Sequence, residues 1–223
     1  MFGAMEGINA SIALLKRKDT AMSAFLGPIH YWLYHKIQLQ EELIDSILET
    51  AGQEGWDTLS AEKLNTACGA ADMRPLEDII DQGNIHGWLH QRIGTSETRL
   101  AYLVAALLKA DTSRLGALKQ SVYRFGERHA LESDTDANTA YKILEDTLLN
   151  GMPCDHVNRI LEQGDDRVVW QQTKCVHREY WDRVGGDIAV YNTLRARIIE
   201  GMLSHSALRF QALENDQFEM IRG

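Results

Sequence analysis

His86 and His90 stand four residues apart. On a helix that spacing puts both imidazoles on one face, within reach of one ion. Cys154-Asp-His156 and Cys175-Val-His177 each pair a thiolate with an imidazole, the donors that zinc and iron take. A phrase in the chain relates some of these groups. Gly27-Pro-Ile-His-Tyr-Trp-Leu33 returns as Gly83-Asn-Ile-His-Gly-Trp-Leu89, and the match runs on to Ile37 and Ile93. A degraded third copy is Gly151-Met-Pro-Cys-Asp-His-Val157, and Leu144-Glu-Asp146 precedes it as Leu76-Glu-Asp78 precedes the second. In this register His30, His86 and Cys154 are equivalent. Three such groups converging on an axis would form a three-ligand site with an open position, the arrangement of catalytic zinc. His156, Cys175 and His177 are the candidates for a fourth ligand or for supporting the first three.

The same residues allow nucleophilic chemistry. Pro153 reads as the first residue of a helix, which puts Cys154 in its first turn, where backbone N–H groups favour a thiolate. Asp155 opposes that effect, and His156 or His177 could act as base. Cys175 sits at the end of an expected strand. Cys68, between alanines and a glycine, reads as packing. Asp187 follows Gly185-Gly186 and is either a pocket carboxylate or a helix-start residue. Glu41 and Glu97 each lie eleven residues beyond their histidine. They share its helical face but sit about 16 Å along the axis, and read as solvated charges or as caps of a neighbouring site.

Mostly helical elements must position these groups. Residues 1–20 read as a short helix ending in the basic turn Lys16-Arg-Lys-Asp19. Gly27-Pro28 opens a strong helix, with Ile29, Trp32, Leu33, Ile37, Ile44, Ile47 and Leu48 at helical spacing and Gly52 and Gly55 at its end. Shorter helices follow over Ser60–Ala67 and Pro75–Asp81. Asn84–Ile93 is next, then a helix capped by Thr95 or Ser96 with an apolar stripe from Leu100 to Leu108. Ser113–Ala130 and Ala137–Leu149 complete the helical part. Arg167-Val-Val-Trp-Gln-Gln-Thr173 is β-rich, so a strand is expected there. Glu179–Leu203 reads as one helix that the diglycine kinks. Ala207–Leu213 and Gln217–Ile221 flank Glu214-Asn-Asp216 as a terminal hairpin. Trp32, Trp88, Trp170 and Trp181 are expected in the core.

The fold class expected is therefore mainly α. Duplicated helical units form a bundle over residues 1–150, and a small α+β part over 151–223 packs on it with a strand, a long helix and a hairpin. Duplication at this scale points to repeated units about a pseudo-symmetry axis. The formal net charge is −9, with no Lys/Arg run, which argues against nucleic acid as a partner. No stretch approaches the roughly 20 apolar residues of a membrane span. Three cysteines and no secretory leader point to a reduced, cytoplasmic protein.

Arg167-Val-Val-Trp-Gln-Gln-Thr-Lys-Cys175, Gly186-Asp187, Glu200-Gly201 and Leu208-Arg-Phe-Gln together resemble the L-2-amino-thiazoline-4-carboxylic acid hydrolase-like family. The likeness covers residues 140–223. It implies a strand ending in Arg-Cys, a following helix with an acidic residue, a final hairpin, and hydrolase activity. The further cysteine of that family is replaced here by Gly185 and Gly186. The N-terminal repeat resembles no known family.

These observations support a cytoplasmic metal-binding protein, with zinc ahead of iron, in metalloenzyme form if a substrate reaches the open position. The alternatives are a cysteine-dependent small-molecule hydrolase and a non-catalytic interaction or ligand-binding domain. The partner is a metal ion or a small molecule, and a homodimer stays open.

Overall fold

A computed structural model describes residues 26–57 and 59–223. The helix expected within 1–20, with its basic turn, lies outside the described residues. Helices α1 (Pro28–Gln53), α2 (Ala61–Cys68), α3 (Leu76–Ile79), α4 (Ile85–Ala110), α5 (Leu115–Arg128) and α6 (Ala137–Thr147) form the first part. Strands β1 (Asn158–Gln163) and β2 (Arg167–Gln172), helices α7 (Arg178–Arg183) and α8 (Ile188–Met202), and strands β3 (Leu208–Ala212) and β4 (Gln217–Arg222) complete it. The chain is mainly α with a C-terminal α+β part, as its patterning implies. No helix among the described residues is long and apolar enough to cross a membrane.

The two clear copies of the repeated phrase open the two longest helices, α1 and α4. Their contacts run in step: His30 meets His86, Tyr34 meets Trp88, and Glu41 reaches Arg99. The helices therefore lie side by side and parallel. Leu33 and Ile37 share a buried cluster with Leu89 and Ile93, the residues in equivalent positions. These two helix starts thus pack against each other.

Three expectations are corrected. First, α4 runs unbroken through Gly94, Thr95 and Ser96. One glycine costs a helix only about 1 kcal/mol, and the stripe from Ile85 through Leu107 buries enough apolar surface to outweigh it. Second, the third copy is not a helix start. Pro153–Asp155 forms one 3₁₀ turn, His156 adopts the left-handed region with φ 49°, and the chain leaves as β1. Third, Gly185-Gly186 splits the expected long helix into α7 and α8, with φ 70° at Gly185. The strand β1 has no signature in the sequence. It is a largely exposed edge strand, so apolar alternation never marks it.

The four strands form one antiparallel sheet in the order β1-β2-β4-β3. Trp170 pairs with Phe218 and Phe218 with Ala212, which puts all three side chains on one face. That face packs beneath α6 and α8. One core joins both parts of the chain: Leu43, Ile44 and Ile47 of α1 belong to the same cluster as Trp170, Met202 and Met220. Trp88, Trp170 and Trp181 are buried, while Trp32 is half-buried and donates Nε1–H to Asp146 at 2.7 Å.

Candidate functional site

Where the helical part meets the sheet, four elements bring polar side chains into the interior. Glu97 comes from the middle of α4, Asn150 follows α6, His177 precedes α7, and Tyr191 and Arg195 stand one turn apart on α8. His177 is 0% exposed and Glu97 1%. Glu97 Oε2 lies 3.0 Å from His177 Nδ1. His177 Nε2 lies 2.9 Å from the Tyr191 hydroxyl and 3.2 Å from Asn150 Oδ1. Arg195 Nη1 donates to the same hydroxyl at 3.1 Å and to the Leu149 carbonyl at 3.3 Å. A continuous chain of hydrogen bonds therefore runs Glu97–His177–Tyr191–Arg195.

This chain has defined chemical capacity. A neutral His177 protonated at Nδ1 donates to Glu97 and accepts the Tyr191 proton at Nε2. The Glu97 and Tyr191 contacts thus fix the ring's orientation within the chain. Burial holds the Tyr191 hydroxyl pKa above its ordinary value, and the Arg195 charge works against that rise. Glu97 Oε1 is buried with no hydrogen-bond partner among the described residues.

The chain links two openings. At the Arg195 end lies a cavity of about 260 Å³ between α6, α8 and the sheet. Its aromatic wall is Tyr141, Trp170, Phe210 and Phe218, and its polar end is Glu145, Asn150, Asn158 and Arg195. Tyr141 packs 5.0 Å from Trp170, centre to centre, and Phe218 stacks on Trp170 at 5.9 Å. At the Glu97 end lies an open cleft of about 400 Å³ that includes His90, Asp155, Cys175 and Tyr180.

Arg195 is unusual among the charges here. It is half-buried, and no carboxylate among the described residues lies within ion-pair distance of it. Both its hydrogen bonds among the described residues use Nη1, which leaves Nε and Nη2 without acceptors among those residues. Glu145, the nearest acid in the cavity wall, accepts instead from Asn158 Nδ2 at 2.8 Å. A second cleft, about 230 Å³, shares Glu145, Asn150 and Asn158 with the cavity and adds Trp32, Lys36 and His156.

The residues singled out from sequence fall in several places. His30 and His86 do come together, with ring centroids 5.9 Å apart. His30 Nδ1 accepts the Gly27 N–H at 2.9 Å, which leaves its Nε2 free. Burial and His86 both lower the His30 pKa. Cys154 does not complete a triad with them: no group of three His, Cys, Asp or Glu side chains among the described residues forms a metal site. Cys154 and His156 are exposed on the 3₁₀ turn, so no helix dipole activates the thiol. His90 is exposed as well.

Cys175 is exposed on the cleft beside Glu97, two residues from the buried His177. Among the described residues neither Cys154 nor Cys175 hydrogen-bonds to an imidazole. Both His177 nitrogens face Glu97, Asn150 and Tyr191 instead. Asp187 caps α8 by accepting the Ala189 N–H at 2.8 Å, and it takes no part in the buried chain of hydrogen bonds. Cys68 packs against the main core, where burial raises its pKa.

The reading of Glu41 and Glu97 as solvated charges is overturned. Both are buried at equivalent turns of the paired helices. Glu41 Oε2 accepts from Arg99 Nε at 2.9 Å, and Arg99 Nη1 also donates to Asn65 and to the Gly69 carbonyl. Tyr191, Arg195, Asn150, Glu145 and Lys36 are absent from the sequence-derived site. Two of them carried a usable signal. Arg195 falls in the stripe of Tyr191, Leu194 and Ile198, and Lys36 in that of Leu33, Leu39 and Leu43. A charge inside an apolar stripe must find a partner or a cavity.

No family model matches the chain, and no match exists among curated proteins or solved structures.

Proposed function

We propose that the protein binds a small organic carboxylate in the cavity between α6, α8 and the sheet. The observation that carries this reading is Arg195. A guanidinium in a protein interior is costly unless paired, and this one faces a cavity with two donor groups unused. The planar fork of arginine matches a carboxylate with two parallel hydrogen bonds. The wall of Tyr141, Trp170, Phe210 and Phe218 suits a flat or apolar body. A volume of about 260 Å³ lies just under the roughly 300–1,000 Å³ of drug-sized sites and fits a compact metabolite. The His177–Tyr191 pair stands beside the carboxylate position as a proton donor or acceptor. The experiment is calorimetric titration of the full chain with phenylacetate and with phenylacetamide. Phenylacetate is expected to bind at least tenfold more tightly, and Arg195→Gln to abolish the difference. Equal affinity for the two compounds in the wild type would refute the reading.

A second reading keeps the metal, on the observation that His30 and His86 face each other across the two helix starts. Two imidazoles on one tetrahedral zinc, with Zn–N near 2.1 Å, sit roughly 5 Å apart centre to centre. The observed 5.9 Å is close to that. The two histidines would supply two ligands to zinc or iron, with solvent completing the shell. Elemental analysis of untagged protein tests this reading. Metal at one equivalent, lost on His30→Ala and His86→Ala, supports it; metal-free wild type rejects it.

A further inference from the structure

Lys36 is 2% exposed, yet it forms no ion pair and no hydrogen bond among the described residues. Its Nζ lies 4.2 Å from the centre of the Trp32 ring, in the wall of the cleft that also holds His156. Lysine is almost never fully buried unless paired. The four-carbon stem of Lys36 is buried, and among the described residues the amine opens only onto this cleft. Glu145 and Asp146 of α6 and Arg195 of α8 are the charges that act on it. Burial is the largest influence and brings the amine down to about 8, so a useful fraction is neutral near physiological pH. Arg195 adds to the effect of burial while Glu145 and Asp146 oppose it, and desolvation of a lysine is a recognised way to make its amine nucleophilic.

The cleft of Lys36 and the cavity of Arg195 meet at Glu145, Asn150 and Asn158, which line both. Arg195 and Lys36 thus open onto adjoining spaces with a common polar wall. We propose that the ligand is a 2-oxo acid, held by its carboxylate on Arg195 and joined through its carbonyl carbon to Lys36 as an imine. This rests on the carboxylate reading of the cavity and names the substrate class for it.

The step balances without an added reagent. Neutral Nζ forms a bond to the carbonyl carbon while the C=O π pair moves to oxygen. The nitrogen gives up a proton and the oxygen gains one, which makes a carbinolamine. The nitrogen lone pair then forms C=N as the hydroxyl leaves with a second proton as water. Glu145 lines both spaces and is placed to carry protons between nitrogen and oxygen. The imine so formed is an electron sink at the carbon next to the carboxylate.

The test uses the full chain with pyruvate and with phenylpyruvate, each in the presence of sodium cyanoborohydride to trap an imine as a stable amine. Intact mass and peptide mapping are the readouts. One reduced adduct at Lys36 is expected, with saturable kinetics and a rate at least tenfold below wild type in Arg195→Gln. Lys36→Met should leave the protein unlabelled. Labelling by neither oxo acid, or labelling spread over exposed lysines as in the denatured chain, would overturn the proposal. Calorimetry with phenylacetate separates the two levels. Arg195-dependent binding without trapping removes the imine alone, while loss of carboxylate selectivity removes the carboxylate reading itself.

Discussion

Glu97 and His177, eighty residues apart in sequence, meet at 3.0 Å with both side chains out of solvent. The contact ties the centre of α4 to the segment between β2 and α7, and so fixes the helical part to the α+β part. It also fixes the ring of His177, whose other nitrogen then faces Tyr191. One carboxylate in one helix thereby sets the orientation of the whole buried chain that ends at Arg195.

Breaking this pair from one side should cost more than removing it whole. Glu97→Leu or His177→Leu leaves a buried partner without its counterpart, a loss of about 3–5 kcal/mol. Glu97→Leu with His177→Leu removes both polar groups. The double variant is expected to lose less than the sum of the single ones by more than about 1 kcal/mol. Urea denaturation of the four proteins measures this coupling. Strict additivity would mean that the pair is incidental.

Arg99 makes a second buried anchor, through Glu41, Asn65 and the Gly69 carbonyl. It joins α1 to α4 and holds the chain just after α2. Arg99→Met should destabilise by about 3 kcal/mol or more, because Glu41 would keep its charge in a buried site. Glu41→Gln combined with Arg99→Met should recover part of that loss. Burial already pushes the Glu41 carboxyl up against the pull of Arg99. Removing the arginine should raise it further, readable by NMR titration of the labelled carboxyl.

The apolar periodicity made the helices legible, because a buried stripe leaves a mark at every turn. The hairpin was legible from its polar loop, while the two adjacent glycines signalled a kink where the chain in fact breaks the helix. What escaped was either exposed or brought together by the fold. Strand β1 faces solvent and shows no alternation. Cys154 matched His30 and His86 by position in a phrase, but Pro153 starts a single 3₁₀ turn there instead of a helix. Glu97 looked like any helix carboxylate, since its partner is supplied by a loop eighty residues on. The clues that did exist were the charges lying within apolar stripes, at Lys36, Glu41 and Arg195.

Helices α5 and α8 approach so closely that two glycines are required. A Cβ at Gly201 would lie 2.2 Å from the Tyr123 carbonyl oxygen and 3.0 Å from the Gly126 Cα. A Cβ at Gly126 would lie 2.2 Å from the Ile198 carbonyl oxygen. Backbone cannot give way as a side chain can. Gly201→Ala should therefore destabilise by about 3 kcal/mol, despite the better helix propensity of alanine. The same change at exposed Gly116, where a Cβ meets nothing within 4 Å, should stabilise by up to about 1 kcal/mol. Thermal melts of the two variants provide the contrast, and equal effects would contradict the packing described.

Lys36 gives a pH-dependent prediction with a definite sign. Its amine falls from 10.5 in the unfolded chain to about 8 in the folded one. Below about pH 8 both states carry the proton, and the folded state bears the full cost of a buried charge. Between about pH 8 and 10.5 the unfolded chain binds more protons, so stability from this group rises with pH; above that window the penalty is gone. The groups that act on or face the amine are Glu145, Asp146, Arg195, Trp32 and His156. Lys36→Met fills the same space without the charge. At pH 7 it should stabilise the protein by up to about 3 kcal/mol, at 1.36 kcal/mol per unit of pKa. By pH 10.5 that gain should shrink towards zero. Denaturation curves of wild type and variant at both pH values decide the matter. A variant no more stable than wild type at pH 7 would show that the amine is solvated after all and carries no such cost.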